Sequence, residues 1–299
     1  MKVSIAQIAP VYLDREATIQ KMARWVHKAG EQGCDLLAFG ESLVPGYPVW
    51  LHYTGGARFD DPLQKSYYAR YVQEAVDPEG PHLAPLRQAA ASTKTALVFG
   101  IVERSGHSLY CSRLILDARG DTLSLHRKLM PTYEERLVWA LGDAKGLVTH
   151  PIGEFRVGAL NCWENWMPLA RAALYAEGED LHVMLWPGNL RNTEDLSPVL
   201  AKEGRSYLLS ASGLLRGHDL PSDLPARDLL PNGEQLVLDG GSCIVGPEGK
   251  ILAGPLVGQE GLLSAELDIR RVREERQNFD PAGHYARPEI LDLRVHRKR

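Results

Sequence analysis

Short apolar runs alternate with amphipathic stretches from one end of the chain to the other. That alternation constrains the fold more than any other feature. Residues 3–8 read as a strand, and Asp14 is placed to cap a helix through about Gly30, with Ile19, Met22, Val26 and Ala29 on one face at helical spacing. Residues 36–39 form a second buried strand closed by Gly40-Glu41, and the Gly- and Pro-containing loop Pro45-Gly46-Tyr47-Pro48 follows. The pattern then predicts helices over about 61–75 and 81–93 and a strand over 96–102. Residues 109–116 and 122–126 read as two strands joined by the turn Asp117-Ala118-Arg119-Gly120. Further strands are expected over 155–161, running into Cys162, and over 181–186, with helices over 168–177 and 197–209. Residues 241–265 should supply two or three strands around Pro247-Glu248-Gly249. Strands interleaved with helices dictate an α/β layer architecture, and turn-linked strand pairs require antiparallel as well as parallel pairing. There is no internal repeat, low-complexity tract or linker, so a single domain over 1–299 is expected, with about 280–299 as a carboxyl-terminal extension.

Composition narrows the function classes. Apolar residues make up 44% of the 299 residues and charged residues 24%, with a formal net charge of -4, as in ordinary soluble globular domains. A chain of this length buries roughly three quarters of its unfolded surface, enough to support a demanding active site. The mildly acidic balance argues against a general nucleic-acid binder. The cluster Arg294, His296, Arg297, Lys298 and Arg299 is expected to be a solvated, frayed end. No run reaches the roughly 18 apolar residues of a membrane span, so no membrane is expected as a partner. Met1 leads straight into a strand pattern with no apolar leader. The four cysteines, Cys34, Cys111, Cys162 and Cys243, are widely spaced and form no CxxC pair, which points to reduced thiols and a cytoplasmic location.

Three polar residues stand where an apolar strand gives way to a loop: Glu41, Lys128 and Cys162. Ligands meet catalytic side chains at strand ends in α/β sheets. Each residue has an ordinary reading as well: a surface carboxylate, a solvated basic turn and an inert buried thiol. Brought together, they form a consistent set for adding to an electrophilic carbon. A thiol must lose its proton to attack, and a carboxylate whose pKa is lifted by burial can take that proton. An ammonium can then stabilise the negative charge that develops.

Around these residues the chain resembles the nitrilase superfamily of carbon–nitrogen hydrolases. The matching segments fall in the family's order: Phe39-Gly40-Glu41 with Pro45-Gly46-Tyr47-Pro48, then His126-Arg127-Lys128-Leu129-Met130-Pro131-Thr132, then Asn161-Cys162-Trp163-Glu164-Asn165. The resemblance implies a Glu–Lys–Cys triad at Glu41, Lys128 and Cys162. It also implies a second glutamate, in Thr132-Tyr133-Glu134-Glu135-Arg136, that positions substrate and the lysine. Spacing from Lys128 favours Glu135 over Glu134. Cys-Trp-Glu-Asn and the late segment 279–288 resemble the nitrilase branch in particular. One departure stands out, since Ala140-Leu141-Gly142-Asp143-Ala144 replaces two glycines common in nitrilases. That substitution matters if those positions need positive φ.

The resemblance implies an αββα four-layer sandwich, mixed sheets with helices on the outer faces, and self-association as a dimer or larger homo-oligomer. It implies hydrolysis of a small organic nitrile by water to the acid and ammonia through a covalent thioimidate and thioester on Cys162, with no cofactor. An amidase or other carbon–nitrogen hydrolase with the same triad is the nearest alternative, and an inactive scaffold a more distant one. Neither HExxH nor paired cysteines occur, so no metal is expected. Trp163 and Trp186 are candidates for an apolar substrate pocket, whereas Trp166 is expected to fill the core.

Overall fold

The computed structural model describes residues 1–298 and builds them into two mixed sheets packed face to face. The first sheet contains β1 (Lys2–Gln7), β2 (Leu36–Ala38), β3 (Ala96–Ser105), β4 (Ser108–Leu116) and β5 (Thr122–Arg127). The second contains β6 (His150–Ile152), β7 (Phe155–Asn161), β8 (Leu181–Trp186), β9 (Tyr207–Ser212), β10 (Leu214–Arg216), β11 (Leu236–Val245) and β12 (Ile251–Val257). The last strand, β13 (Gly261–Glu266), returns to the first sheet and pairs antiparallel with β1, giving the order β13-β1-β2-β3-β4-β5. The second sheet runs β10-β11-β9-β8-β7-β6, with β12 on β11. Among the named strands, parallel pairing occurs in β1-β2-β3 and β7-β8-β9, the strands linked through helices.

Helices α1 (Arg15–Glu31), α2 (Trp50–Tyr53), α3 (Pro62–Glu74), α4 (Ala84–Thr93), α5 (Pro168–Ala176), α6 (Leu196–Gly204) and α7 (Ile269–Arg276) complete the fold. Asp14 caps α1 as its position predicts, accepting from the Ala17 N–H at 2.9 Å. Strand residues divide by parity. Leu36 and Ala38 of β2, like Val183 and Leu185 of β8, face the space between the sheets. Leu37 and Phe39 point outward against Ile19, Met22 and Val26 of α1 and Leu86 and Ala90 of α4. Met184 and Trp186 point outward against Leu196, Leu200 and Ala201 of α6, while Leu160 packs on Ala170, Ala173 and Leu174 of α5. Helix, sheet, sheet, helix is the expected sandwich, and burial of both strand faces explains why the central strands read as unbroken apolar runs.

Two expectations are corrected. The helix predicted over 197–209 stops at Gly204, because Arg205 takes a left-handed C-cap with φ 47°, and Tyr207–Ser212 continues as β9. The basic end is not wholly frayed: the Arg297 guanidinium donates to the Leu147 carbonyl and pairs with Glu177 at 2.8 Å, and Val295 packs beside Leu147. Arg299 lies outside the described residues. Among the described residues no helix is long and apolar enough to cross a membrane.

Candidate active site

The ends of the central strands of the two sheets meet at one point. Beyond β2, the Glu41 backbone N–H donates to the carbonyl of Trp186, the last residue of β8, at 3.0 Å. The chain can turn there because Gly100 on β3 has no side chain: a Cβ would lie 2.3 Å from the Ser42 nitrogen and 2.6 Å from the Glu41 Cα. Lys128 follows β5 directly. Its N–H donates to the Cys111 carbonyl at 2.7 Å, and its own carbonyl accepts from the Gly142 N–H at 2.9 Å. A Cβ on Gly142 would fall 2.4 Å from that carbonyl oxygen, so this glycine is required by close approach. Ala140 and Ala144 have no positive φ, so replacement of glycine at those two positions places no demand on the backbone.

Cys162 opens a 3₁₀ turn, Cys162–Trp166, at the end of β7, and sits at φ 46° in the left-handed region. Such backbone costs on the order of 1–3 kcal/mol and persists only where its surroundings hold it. Here the holding groups are Glu164 and Asn165. One oxygen of Glu164 accepts from the Asn161 N–H at 2.8 Å; the other accepts from the Leu129 N–H at 2.7 Å and bonds His126 Nε2 at 2.9 Å. Glu164 therefore straps the end of β5, which carries Lys128, to the turn that carries Cys162. Burial alone would raise its pKa, but His126 and the two backbone donors hold it below its ordinary value. Asn165 donates to the Cys162 carbonyl at 2.8 Å and is itself bonded to His182 at 2.8 Å.

Glu41, Lys128, Cys162 and Glu135 converge, each no more than 3% exposed. The Lys128 Nζ lies 2.9 Å from Glu41 Oε1 and 2.7 Å from Glu135 Oε2. An oxygen of each glutamate and the Cys162 Sγ all lie within 4.8 Å of one another. This set could hold a cation, and the Lys128 ammonium supplies that positive charge. Glu135 also accepts from the Tyr47 hydroxyl at 2.9 Å and the Thr132 N–H at 2.6 Å. Glu134, the neighbouring alternative, is half-buried in the wall of the adjoining cavity.

Burial raises the Glu41 carboxyl to about 7 despite the opposing Lys128 charge. Burial also pushes the Cys162 thiol well up, with Lys128 pulling against it. For Lys128, burial would favour the neutral amine, but Cys162, Glu41 and Glu135 outweigh it and hold the ammonium well above its ordinary value. The resting cluster at neutral pH thus pairs a protonated thiol with a carboxylate near its midpoint and a fixed cation. Glu41 Oε2 is buried without a hydrogen-bond partner among the described residues and is free to receive a proton.

The cluster opens into a cavity of about 370 Å³ lined by Cys162, Trp163, Tyr47, His52, Tyr53 and Tyr133, among others. Trp163 is a wall of this cavity, 44% exposed. Trp186 is packed behind Cys162 in the buried cluster under α6 and is not a cavity wall. Trp166 is not core: it is 49% exposed and stacks on Trp163 with centroids 5.7 Å apart. Residues three apart eclipse in a 3₁₀ turn, which puts both rings on one face. The sequence reading did not find Cys111, Glu164 or Asn165, although Asn161-x-x-Glu164 carries the spacing of a capping box.

The fold and this cluster bring a buried thiol, two carboxylates and an ammonium together at the wall of one cavity. The carbon-nitrogen hydrolase family model matches residues 2–277. A nitrilase from an unknown prokaryotic organism is 38% identical over 300 residues, covering 98% of this chain and 91% of the relative. An aliphatic nitrilase of Rhodococcus rhodochrous is 35% identical, covering 99% and 79%. A bifunctional nitrilase/nitrile hydratase of Nicotiana tabacum is 34% identical, covering 99% and 86%. Among solved structures, the amidase from Nesterenkonia sp. AN1 shares the fold with a TM-score of 0.66 at 22% identity, covering 93% of this chain and 97% of its own. The chain belongs to the carbon-nitrogen hydrolase family and is an enzyme of that class.

Proposed function

We propose that the enzyme hydrolyses an organic nitrile to the carboxylic acid and ammonia, with Glu41, Lys128, Cys162 and Glu135 as the reacting and positioning groups. The observation that carries this reading is the nearly full-length similarity to nitrilases together with the buried Glu–Lys–Cys cluster. Cys162 Sγ adds to the nitrile carbon while its proton passes through Glu41 to the nitrile nitrogen, giving a thioimidate. Lys128 and the Trp163 N–H, which points at the Cys162 sulfur, stabilise the charge that builds on nitrogen. Water activated by Glu41 then adds to the thioimidate carbon. Ammonia leaves with a proton returned by Glu41, and a thioester remains. A second water releases the acid and restores the thiol. Expulsion of the thiol at the first tetrahedral stage, before ammonia leaves, yields an amide instead. Glu135 keeps Lys128 aimed at the reacting atoms, and Trp163 offers an apolar ring to the substituent on the nitrile, with Trp186 behind the nucleophile.

Self-association is part of the same reading, supported by the exposed apolar side chains of Trp166, Met167, Leu169 and Val199 around α5 and α6. A cytoplasmic location is supported by four cysteines that are all unpaired.

Ammonia release from matched nitriles and amides tests the chemistry. Nitriles should be turned over, and a protein that hydrolyses only the amides belongs to the amidase alternative. The Cys162→Ala variant should fold and lose all turnover, and intact-mass analysis of the wild type with a slow substrate should show an adduct on Cys162. Turnover by the variant, or an adduct elsewhere, refutes the assignment.

A further inference from the structure

A second thiol touches the candidate base. The Cys111 Sγ donates to Glu41 Oε1 at 3.4 Å, and the same oxygen lies 2.9 Å from the Lys128 Nζ. Glu41 Oε2 has no partner among the described residues. Cys111 is firmly placed: it lies opposite Val102 in the β3–β4 ladder, is 1% exposed, packs in one cluster with Tyr71 and Trp139, and receives the Lys128 N–H on its carbonyl oxygen. One residue therefore holds a side-chain oxygen of the base with its sulfur and the backbone of the ammonium-bearing residue with its carbonyl.

We propose that Cys111 is a positioning residue for Glu41: its thiol pins one carboxylate oxygen and leaves the other turned to the nucleophile. This inference rests on Glu41 being the base for Cys162. The residue type matters because the terminal torsion of a glutamate is broad, and a single ion pair does not define which oxygen faces the sulfur. A hydroxyl at this position would define it but would donate more strongly, stabilising the carboxylate and weakening it as a base. A methyl group would donate nothing. The weak S–H donor orients the carboxylate while leaving its basicity near neutral pH.

The test follows alkylation of Cys162 by iodoacetamide, read by peptide mass mapping as a function of pH. Sulfur displaces iodide, and the thiol proton goes to Glu41, so the reaction needs no knowledge of the natural substrate. In the wild type the rate should rise with pH along a limb set by Glu41 ionisation, and Glu41→Gln should abolish that limb. Cys111→Ala removes a donor to the charged form and should move the limb up by about half a pH unit; Cys111→Ser should move it down by a similar amount. Cys111→Val should behave as Cys111→Ala and serves if the alanine variant does not fold. If Glu41→Gln keeps the wild-type limb, the assignment of Glu41 as base fails. If Glu41→Gln abolishes it but the Cys111 variants superimpose on the wild type, or shift together in one direction as a packing defect would make them, the role of Cys111 is overturned.

Discussion

Replacing Glu41 by Gln should stabilise the fold, and increasingly so as pH rises. The carboxyl titrates at about 7 in the folded protein, against an ordinary value of 4.5, because burial disfavours its charged form more than Lys128 favours it. Between those two values the unfolded chain has released the proton while the folded chain still holds it. Folding then takes up a proton, so stability falls as pH rises through this window and levels off above it. A separation of 2.5 units corresponds to about 3 kcal/mol of stability lost between pH 4.5 and pH 8. Glutamine keeps the shape of the side chain and removes the charge, while Lys128 keeps Glu135 at 2.7 Å as its partner. The variant should therefore exceed the wild type by only about 1 kcal/mol near pH 5 and by about 3 kcal/mol at pH 8, the latter for a chain of this size a rise of roughly 5 °C in Tm. Thermal unfolding of both proteins at half-unit steps from pH 5 to pH 9 reads the difference, with ammonia release assayed on the same samples. Activity should vanish while stability rises, the trade-off expected of a group kept for chemistry. A stability difference that is flat with pH, or that shrinks as pH rises, refutes the reasoning.

Two further variants test the supports of the site. Glu164→Gln puts an amide N–H₂ where the carboxylate accepts two backbone N–H groups, so one buried donor must lose its partner. It should cost about 3 kcal/mol in urea unfolding, and kcat should fall far more than KM changes. A variant with wild-type stability and kcat would show that the strap between β5 and the Cys162 turn is dispensable. Trp163→Ala should barely alter Tm, since the ring is 44% exposed, but it should raise KM for arylacetonitriles about tenfold relative to small aliphatic nitriles. Equal changes for both substrate classes would remove Trp163 from the recognition surface.

Much of this architecture was legible because the central strands are buried on both faces and therefore announce themselves as apolar runs. The points where those runs end at Glu41 and Cys162 were equally plain. Lys128 followed from the same logic, whereas Glu135 came only through the resemblance, with its spacing from Lys128 favouring it over Glu134. The remaining features are set by contacts distant in sequence. Nothing local marks Cys111 as different from Cys34 or Cys243, since its importance comes from β4 lying beside the turn that carries Glu41. The helix expected over 197–209 ends early because the left-handed Arg205 followed by Ser206 separates α6 from β9, and arginine carries no signal for that conformation. Trp166 lies on the surface rather than in the core because Cys162–Trp166 winds with three residues per turn, a geometry that nothing in the local sequence marks.

Glu41 and Lys128 are mounted on one sheet and Cys162 on the other, joined at the Glu41–Trp186 hydrogen bond and by the Glu164 strap. The reacting constellation is thus a gauge of how the two halves of the sandwich are seated. A slip of about an ångström between them would leave every helix and strand intact yet can reduce the rate a hundredfold. On warming, catalysis should fade while circular dichroism still reports a native protein.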